Sequence, residues 1–266
     1  MDARVPHIGT YRCELPVSLE RLYENAIDWE HLPYLHRTSF SRIEKTEAGD
    51  WGFRARVWTH PYEEQRAFVI ELKLDRDCRR WITSTLEGAG VGTEIWTHAF
   101  SLAARTTLVV VDFFVPGVDG DAIARLGDYY KSLYAKLYDE DVWMMSTRER
   151  ALDRVRAGKP AKAAAQKSIG NISELRKKLP IEVELDGAEF KIAELGGEMI
   201  AYSTRCPHLL GPLGDACIEG GIVECPWHGY RFDVRTGQCV SGAQCHLAPA
   251  PLVRVEATGE VIIEMV

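Results

Sequence analysis

The sequence predicts an α+β protein of two domains: an antiparallel sheet closed by one long helix, then a small all-β domain. Three patterns carry this. Strand-type alternation runs from Phe40 to Val115, a continuous helical pattern runs from Asp119 to about Arg156, and short apolar stretches between Gly/Pro loops fill the chain from Pro180 onward. At 266 residues the chain also exceeds one average domain of roughly 100–200 residues.

Residues 12–18 alternate like a strand, and Ser18 then stands where an N-cap belongs, ahead of Leu19, Leu22, Ala26 and Ile27 at helical spacing. That helix is expected to fail at Pro33. Strands are predicted over 51–58, 66–74, 80–86, 93–100 and 106–115, an antiparallel meander. The helix that follows carries Ile123, Leu126, Tyr130, Leu133, Leu137, Asp141 and Met144 on one stripe. A curved sheet wrapped on a last long helix is a helix-grip architecture, with a cavity between sheet and helix suited to a hydrophobic ligand. The Ala/Lys stretch from Ala157 lacks apolar periodicity and reads as an exposed linker to about Leu179. The predicted domains are thus 1–156 and 180–266, joined by a linker at 157–179.

With 46% hydrophobic and 27% charged residues and no apolar run near the roughly 20 residues of a membrane span, the composition predicts a globular protein with no membrane segment. The first residues lack the basic start and apolar stretch of a secretory signal, which predicts a cytoplasmic location. A net charge of -7 with no basic stripe argues against nucleic acid. Seven cysteines, an odd number, argue for ligand use of a subset over a disulfide framework. Only Cys206 and Cys225 have histidines at ligand spacing; Cys13, Cys78, Cys217, Cys239 and Cys245 read as small apolar residues.

Two loops carry chemistry. Cys206-Pro-His208-Leu-Leu-Gly and Cys225-Pro-Trp-His228-Gly-Tyr-Arg-Phe-Asp each offer one thiolate and one imidazole. Thiolates suit an iron that stays ferric, and neutral imidazoles on a second iron raise the reduction potential above that of an all-cysteine cluster. The alternative is zinc, whose spacings usually pair Cys with Cys and His with His. Gly211, Gly214 and Gly229 are expected to let backbone N–H groups approach bridging sulfides. Residues 180–266 resemble a Rieske domain, through these loops, through Val234-Arg-Thr-Gly237 and through Ala248-Pro-Ala-Pro251. The resemblance implies a 2Fe-2S cluster with Cys206 and Cys225 on one iron and His208 and His228 on the other. High-potential Rieske proteins carry an extra cysteine in each loop, and a Ser and a Tyr that bond the cluster. Those positions read Gly211, Trp227, Tyr230 and Phe232 here, which implies the lower-potential ferredoxin and oxygenase class.

Upstream, Glu24, Asp28, His31 and His36 cluster at the end of the first predicted helix. Two histidines five apart on an ideal helix point about 140° away from each other, but Pro33 between them can open the helix and turn both toward one metal. Surface or capping histidines are the alternative. With a Rieske-like domain in the same chain, this string resembles the mononuclear iron motif of Rieske non-haem iron oxygenases, whose catalytic domain is a helix-grip (START/Bet v 1-like) cup. The resemblance implies a facial triad on Fe(II) from His31, His36 and a carboxylate of the last helix. Asp139, Glu140 and Asp141 are the candidates, and Asp141 on the inward stripe is the choice, with Glu140 second.

Asp28 matches the family's bridging aspartate, which bonds the first iron histidine and, across a subunit boundary, a Rieske histidine, here His228; Glu24 matches a flanking acidic position. The resemblance also implies a homo-oligomer, in the family a trimer, although the two domains here stand in reversed order. No G-x-G-x-x-G follows a strand, so a separate reductase, with or without a ferredoxin, must feed electrons. The function implied is oxidation of a small hydrophobic or aromatic molecule with dioxygen, by hydroxylation, dihydroxylation, demethylation or desaturation. The alternative is a Rieske electron carrier or sensor fused to a ligand-binding cup without a second iron.

Overall fold

The first strand, β1 (His7–Leu15), lies earlier than the alternation suggests, because Pro16 cannot donate to a ladder and ends it. A computed structural model of the chain describes residues 5–157 and 165–265. The Ser18 hydroxyl accepts from the Arg21 N–H at 3.3 Å and starts helix α1 (Leu19–Ile27). This helix stops six residues before Pro33: the Asp28 N–H turns back to the Asn25 carbonyl at 3.1 Å. Pro33 instead occupies the first turn of a separate one-turn helix, α2 (Leu32–Leu35), where its missing N–H costs nothing.

Six strands follow: β2 (Phe40–Gly49), β3 (Gly52–Thr59), β4 (Phe68–Asp75), β5 (Arg80–Glu87), β6 (Glu94–Ala103) and β7 (Thr106–Phe114). With β1 they form one antiparallel sheet in the order β1-β7-β6-β5-β4-β3-β2. The polar, largely exposed β2 carried no alternation by which to separate it from β3. Strict two-residue alternation buries Thr107, Val109, Val111 and Phe113 of β7, and Phe53, Ala55 and Val57 of β3 do the same. Trp81 joins this core. Trp58 and Trp96 stand on the other sheet face, each under an arginine, Arg42 at 4.9 Å and Arg80 at 4.7 Å.

Helix α3 (Asp121–Ala157) packs Ile123, Leu126, Tyr130, Tyr134, Tyr138 and Met145 on the sheet. Beyond Tyr130 the core stripe passes through Tyr134 and Tyr138 and not through Leu133 and Leu137; Leu137 lines the cavity instead. Two glycines set the distance between helix and sheet. A Cβ on Gly127 would stand 2.2 Å from the Ile8 carbonyl oxygen, and one on Gly9 would touch Gly127 at 3.5 Å. The expected helix-grip cup is present. Among the described residues, no helix is long and apolar enough to cross a membrane.

The chain divides into two compact units between Ser146 and Thr147, inside α3 and ahead of the boundary expected at residue 156. The last turns of α3 bond within the second unit: Arg148 donates to the Leu209 carbonyl at 2.9 Å, and Arg154 pairs with Glu189. The predicted linker is corrected as well. Its residues 158–164 lie outside the described residues, but β8 (Gln166–Asn171) and the one-turn α4 (Ile172–Leu175) are ordered elements of the second unit. Strand β8 is polar and pairs on one side only, so nothing apolar marked it as a strand.

The rest of the unit is short strands: β9 (Ile181–Leu185), β10 (Ala188–Leu195), β11 (Glu198–Ser203), β12 (Ile218–Glu219), β13 (Ile222–Glu224), β14 (Arg231–Asp233), β15 (Leu252–Val255) and β16 (Glu260–Glu264). They form three three-stranded antiparallel sheets, β11-β10-β9, β12-β13-β14 and β15-β16-β8. Leu185, Phe190, Ile192 and Ile263 make a core between the first and the last of these.

Candidate metal centres

In the first unit, the two histidines flank α2, His31 as its N-cap and His36 as its C-cap. One turn of helix between them, entered by the break at Asp28, brings their rings to 5.1 Å between centroids, inclined at 72°. Asp141 reaches them from α3. Its Oδ1 lies 3.1 Å from His36 Nε2 and 3.5 Å from His31 Nε2. One ligating atom from each of the three residues lies within 4.8 Å of the others, and all three residues are buried. Two imidazole nitrogens and one carboxylate converging from one side are the donor set of a 2-His-1-carboxylate iron site, so the residues fit that metal.

Outer partners orient each donor. Glu140 Oε2 accepts from His36 Nδ1 at 2.6 Å, which leaves the Nε2 lone pair for the shared point. Asp28 lies 3.6 Å from His31 Nδ1, and Asn25 donates to Asp141 Oδ1 at 3.0 Å. Burial pushes the His36 imidazole down, but hydrogen bonds and charges from Asp141 and Glu140 outweigh it, and its pKa is raised above the ordinary histidine value. Glu24, by contrast, pairs with Arg21 one turn back on α1. Of the three candidate carboxylates Asp141 faces the histidine nitrogens, Glu140 stands behind His36, and Asp139 is exposed. Asn25 was missed; at helical spacing beside Leu22 it reads as one more polar helix residue.

Asn25, Asp28, His31, His36 and Asp141 line a cavity of about 150 Å³ whose walls also include Trp29, Phe40, Phe53, Trp81, Tyr134 and Leu137. Burial pushes the phenols of Tyr134 and Tyr138 well above their usual value, so both remain neutral.

In the second unit, one ligand loop follows β11 and the other joins β13 to β14. Each closes on itself: the Cys206 N–H donates to the Gly211 carbonyl at 2.8 Å, and the Cys225 N–H to the Tyr230 carbonyl at 2.8 Å. The sulfurs of Cys206 and Cys225, both buried, share a hydrogen bond. That bond, with the His228 ring and the Trp227 and His228 N–H groups, pulls the Cys225 thiol down, while the same bond and burial push Cys206 up. The His208 and His228 rings meet edge to face at 4.6 Å. His208 is exposed and His228 is buried.

The loops thus present a sulfur pair and an imidazole pair, as a Rieske cluster requires. Gly211 keeps the cradle open: a Cβ there would meet Cys225 Sγ at 2.7 Å and the Trp227 ring at 3.1 Å. Gly229 takes φ +67°, which favours glycine. At Gly214 a Cβ would meet the end of the Glu182 side chain of β9.

With this geometry in view, residues 166–251 match the family model described as Rieske [2Fe-2S] domain, a match that begins at β8. Two curated relatives match part of the chain. The chain is similar to methylxanthine N1-demethylase NdmA of Pseudomonas putida, 32% identical over 72 residues, 27% of this chain and 20% of that protein. It is also similar to the ferredoxin component of the naphthalene 1,2-dioxygenase/salicylate 5-hydroxylase systems of Ralstonia sp, 37% identical over 60 residues, 23% of this chain and 58% of that one. The chain spans less than two thirds of either relative. Among solved structures it is similar to a START superfamily protein from Mycobacterium smegmatis, with 16% identity and a TM-score of 0.43 over 52% of this chain and 99% of that one.

Proposed function

We propose that this chain is the oxygenase component of a Rieske-type system, which uses dioxygen to oxidise a small hydrophobic or aromatic molecule. The observation that carries the reading is the convergence of buried His31, His36 and Asp141 on an apolar cavity, in a chain that also holds a Rieske domain. Fe(II) held by His31, His36 and Asp141 would supply dioxygen chemistry, and a 2Fe-2S cluster held by Cys206, Cys225, His208 and His228 would supply electrons one at a time.

The chain's own groups do the rest. Glu140 holds the proton of His36 on Nδ1, and Asp28 is placed to hold that of His31 on Nδ1, so both Nε2 atoms keep their lone pairs for metal. Asn25 fixes one oxygen of Asp141. The aromatic walls exclude water and orient an apolar molecule by shape. A separate reductase, directly or through a ferredoxin, is the electron donor in this reading, the site of action is the cytoplasm, and the assembly is a homo-oligomer.

Iron and acid-labile sulfide per chain test the proposal. Three irons with two sulfides are expected. Two irons, with no further ion taken up when Fe(II) is added without oxygen, would favour the electron carrier or sensor with a ligand-binding cup.

A further inference from the structure

The five cysteines outside the cluster loops do not form one class. Cys13 lies on β1, Cys78 in the turn between β4 and β5, and Cys217 ahead of β12. Cys239 and Cys245 face each other. Gln238 and His246 form an antiparallel bridge, which places Cys239 directly opposite Cys245 one step further along the ribbon. The Cys239 N–H donates to the Cys245 carbonyl at 3.4 Å, one of the two bonds of a hydrogen-bonded pair. Such pairs hold their Cα atoms about 5.5 Å apart with both side chains on one face, inside the roughly 4.4–6.8 Å that a disulfide spans. The Cys239 thiol acts on that of Cys245, and both residues are half-exposed, unlike the buried Cys206 and Cys225.

We propose that Cys239 and Cys245 are a redox site of this chain, a cross-strand dithiol that hydrogen peroxide converts into a reversible intrachain disulfide. The site stands apart from the mononuclear iron reading, since neither cysteine belongs to the first unit.

The pair is chemically asymmetric. Burial pushes Cys239 up, but the Ser241 hydroxyl at 3.2 Å and the N–H groups of Ser241 and Ala243 hold its thiol below the ordinary value. Burial and the neighbouring Cys239 push Cys245 up to about 11. Cys239 is therefore the nucleophile and Cys245 the thiol that resolves it. The Cys239 thiolate attacks one peroxide oxygen; the S–O bond forms, the O–O bond breaks and the leaving hydroxide takes a proton to become water. Cys245 sulfur then attacks the sulfenic sulfur, the S–S bond forms, the S–O bond breaks, and the second oxygen leaves as water with the Cys245 proton. Two thiols and one peroxide give one disulfide and two waters.

The ribbon adjoins the cluster loops. Cys245 lies within electrostatic reach of Cys206. Oxidation removes the acidic thiol of Cys239 from the ribbon and ties down residues 240–244, so the cluster's reduction potential is expected to rise.

The test uses the full chain with its cluster in place, treated with one equivalent of hydrogen peroxide, quenched, alkylated and cut with trypsin. One peptide, from Thr236 to Arg254, holds both cysteines. It should lose two hydrogens, regain them with dithiothreitol, and resist alkylation in between, while a redox titration shows the cluster potential shifted upward. Cys239→Ser and Cys245→Ser should abolish both changes, and Cys245→Ser should leave a sulfenic acid on Cys239 that dimedone traps. Full alkylation of the peptide while Cys78 or Cys217 is oxidised would overturn the proposal, as would loss of the cluster's absorption before any disulfide forms. A disulfide that leaves the potential unmoved would overturn the coupling to the cluster.

Discussion

Replacing Glu140 by Gln tests how the donor set is built, because it removes one charge behind His36 and leaves every proposed metal ligand in place. The hydrogen bond at stake is short, 2.6 Å from His36 Nδ1, and charge-assisted, and His36 itself is only 1% exposed. Loss of such an outer partner typically lowers metal affinity about 10- to 100-fold, which is about 1.4–2.8 kcal/mol at roughly 1.4 kcal/mol per decade. Glu140 keeps 28% of its side chain in solvent, so water screens part of the effect and the lower end, about tenfold, is expected. Asp141→Asn should cost far more, since it neutralises the carboxylate that faces both Nε2 atoms. Asp139→Asn, at an exposed position, should cost nothing. The assay is Fe(II) affinity by competition with a chelator under anaerobic conditions, with the cluster's visible spectrum as a check on folding. If Asp141→Asn binds normally while Glu140→Gln loses the ion, the two carboxylates have been assigned the wrong way round. An unchanged Glu140→Gln would refute the role given to the hydrogen bond.

In the metal-free chain, protonated His36 bridges Asp141 and Glu140 with a raised pKa, so its contribution to stability is full below the unfolded histidine value and fades as pH climbs through the raised one. Metal needs the neutral ring; Fe(II) affinity should therefore grow over that same rise, with a proton released on binding near neutral pH, seen as a buffer-dependent heat in calorimetry. A pH-independent affinity would contradict the bridge. Gly127→Ala separates local from tertiary reasoning: helix propensity favours Ala by about 1 kcal/mol, but a Cβ 2.2 Å from the Ile8 carbonyl forces an overpacking cost of about 1–3 kcal/mol. Thermal unfolding should show a lower Tm, and a higher one would mean that β1 yields freely. Asp28→Asn should keep both metal sites loaded yet slow turnover, and mixing those chains with His228→Cys chains should recover part of the activity if the relay runs between chains. Mixed oligomers with no recovery would point to a route within one chain.

Much of the chemistry was legible because it is local. Cys206 with His208, and Cys225 with His228, each come from a single short loop, so their spacing along the chain is their spacing in space, and the two loops alone supply the proposed cluster donors. His31 and His36 were legible for the same reason, being one helical turn apart across Pro33. The long helix and the strands of the first unit declared themselves because each must bury one face, and burial writes a period of 3.6 or 2 into the residues. Where burial is slight, as in β2 and β8, the pattern was blank and the strand or its partner was missed.

What tertiary structure alone decided is what depends on pairs far apart in sequence. Asp141 meets His36 across 105 positions and Asn25 across 116; the helical stripe ranked Asp141 ahead of Glu140, but it could not name the partners, and no period promotes Asn25 above any other polar helix residue. The same holds for Gly127, which reads as a poor helix residue until β1 is laid against it, and for Cys239 and Cys245, which become a pair only through the register of one bridge. A side chain's type limits the chemistry it can perform, but its partner is chosen by how the elements pack, and packing is a property of the whole fold.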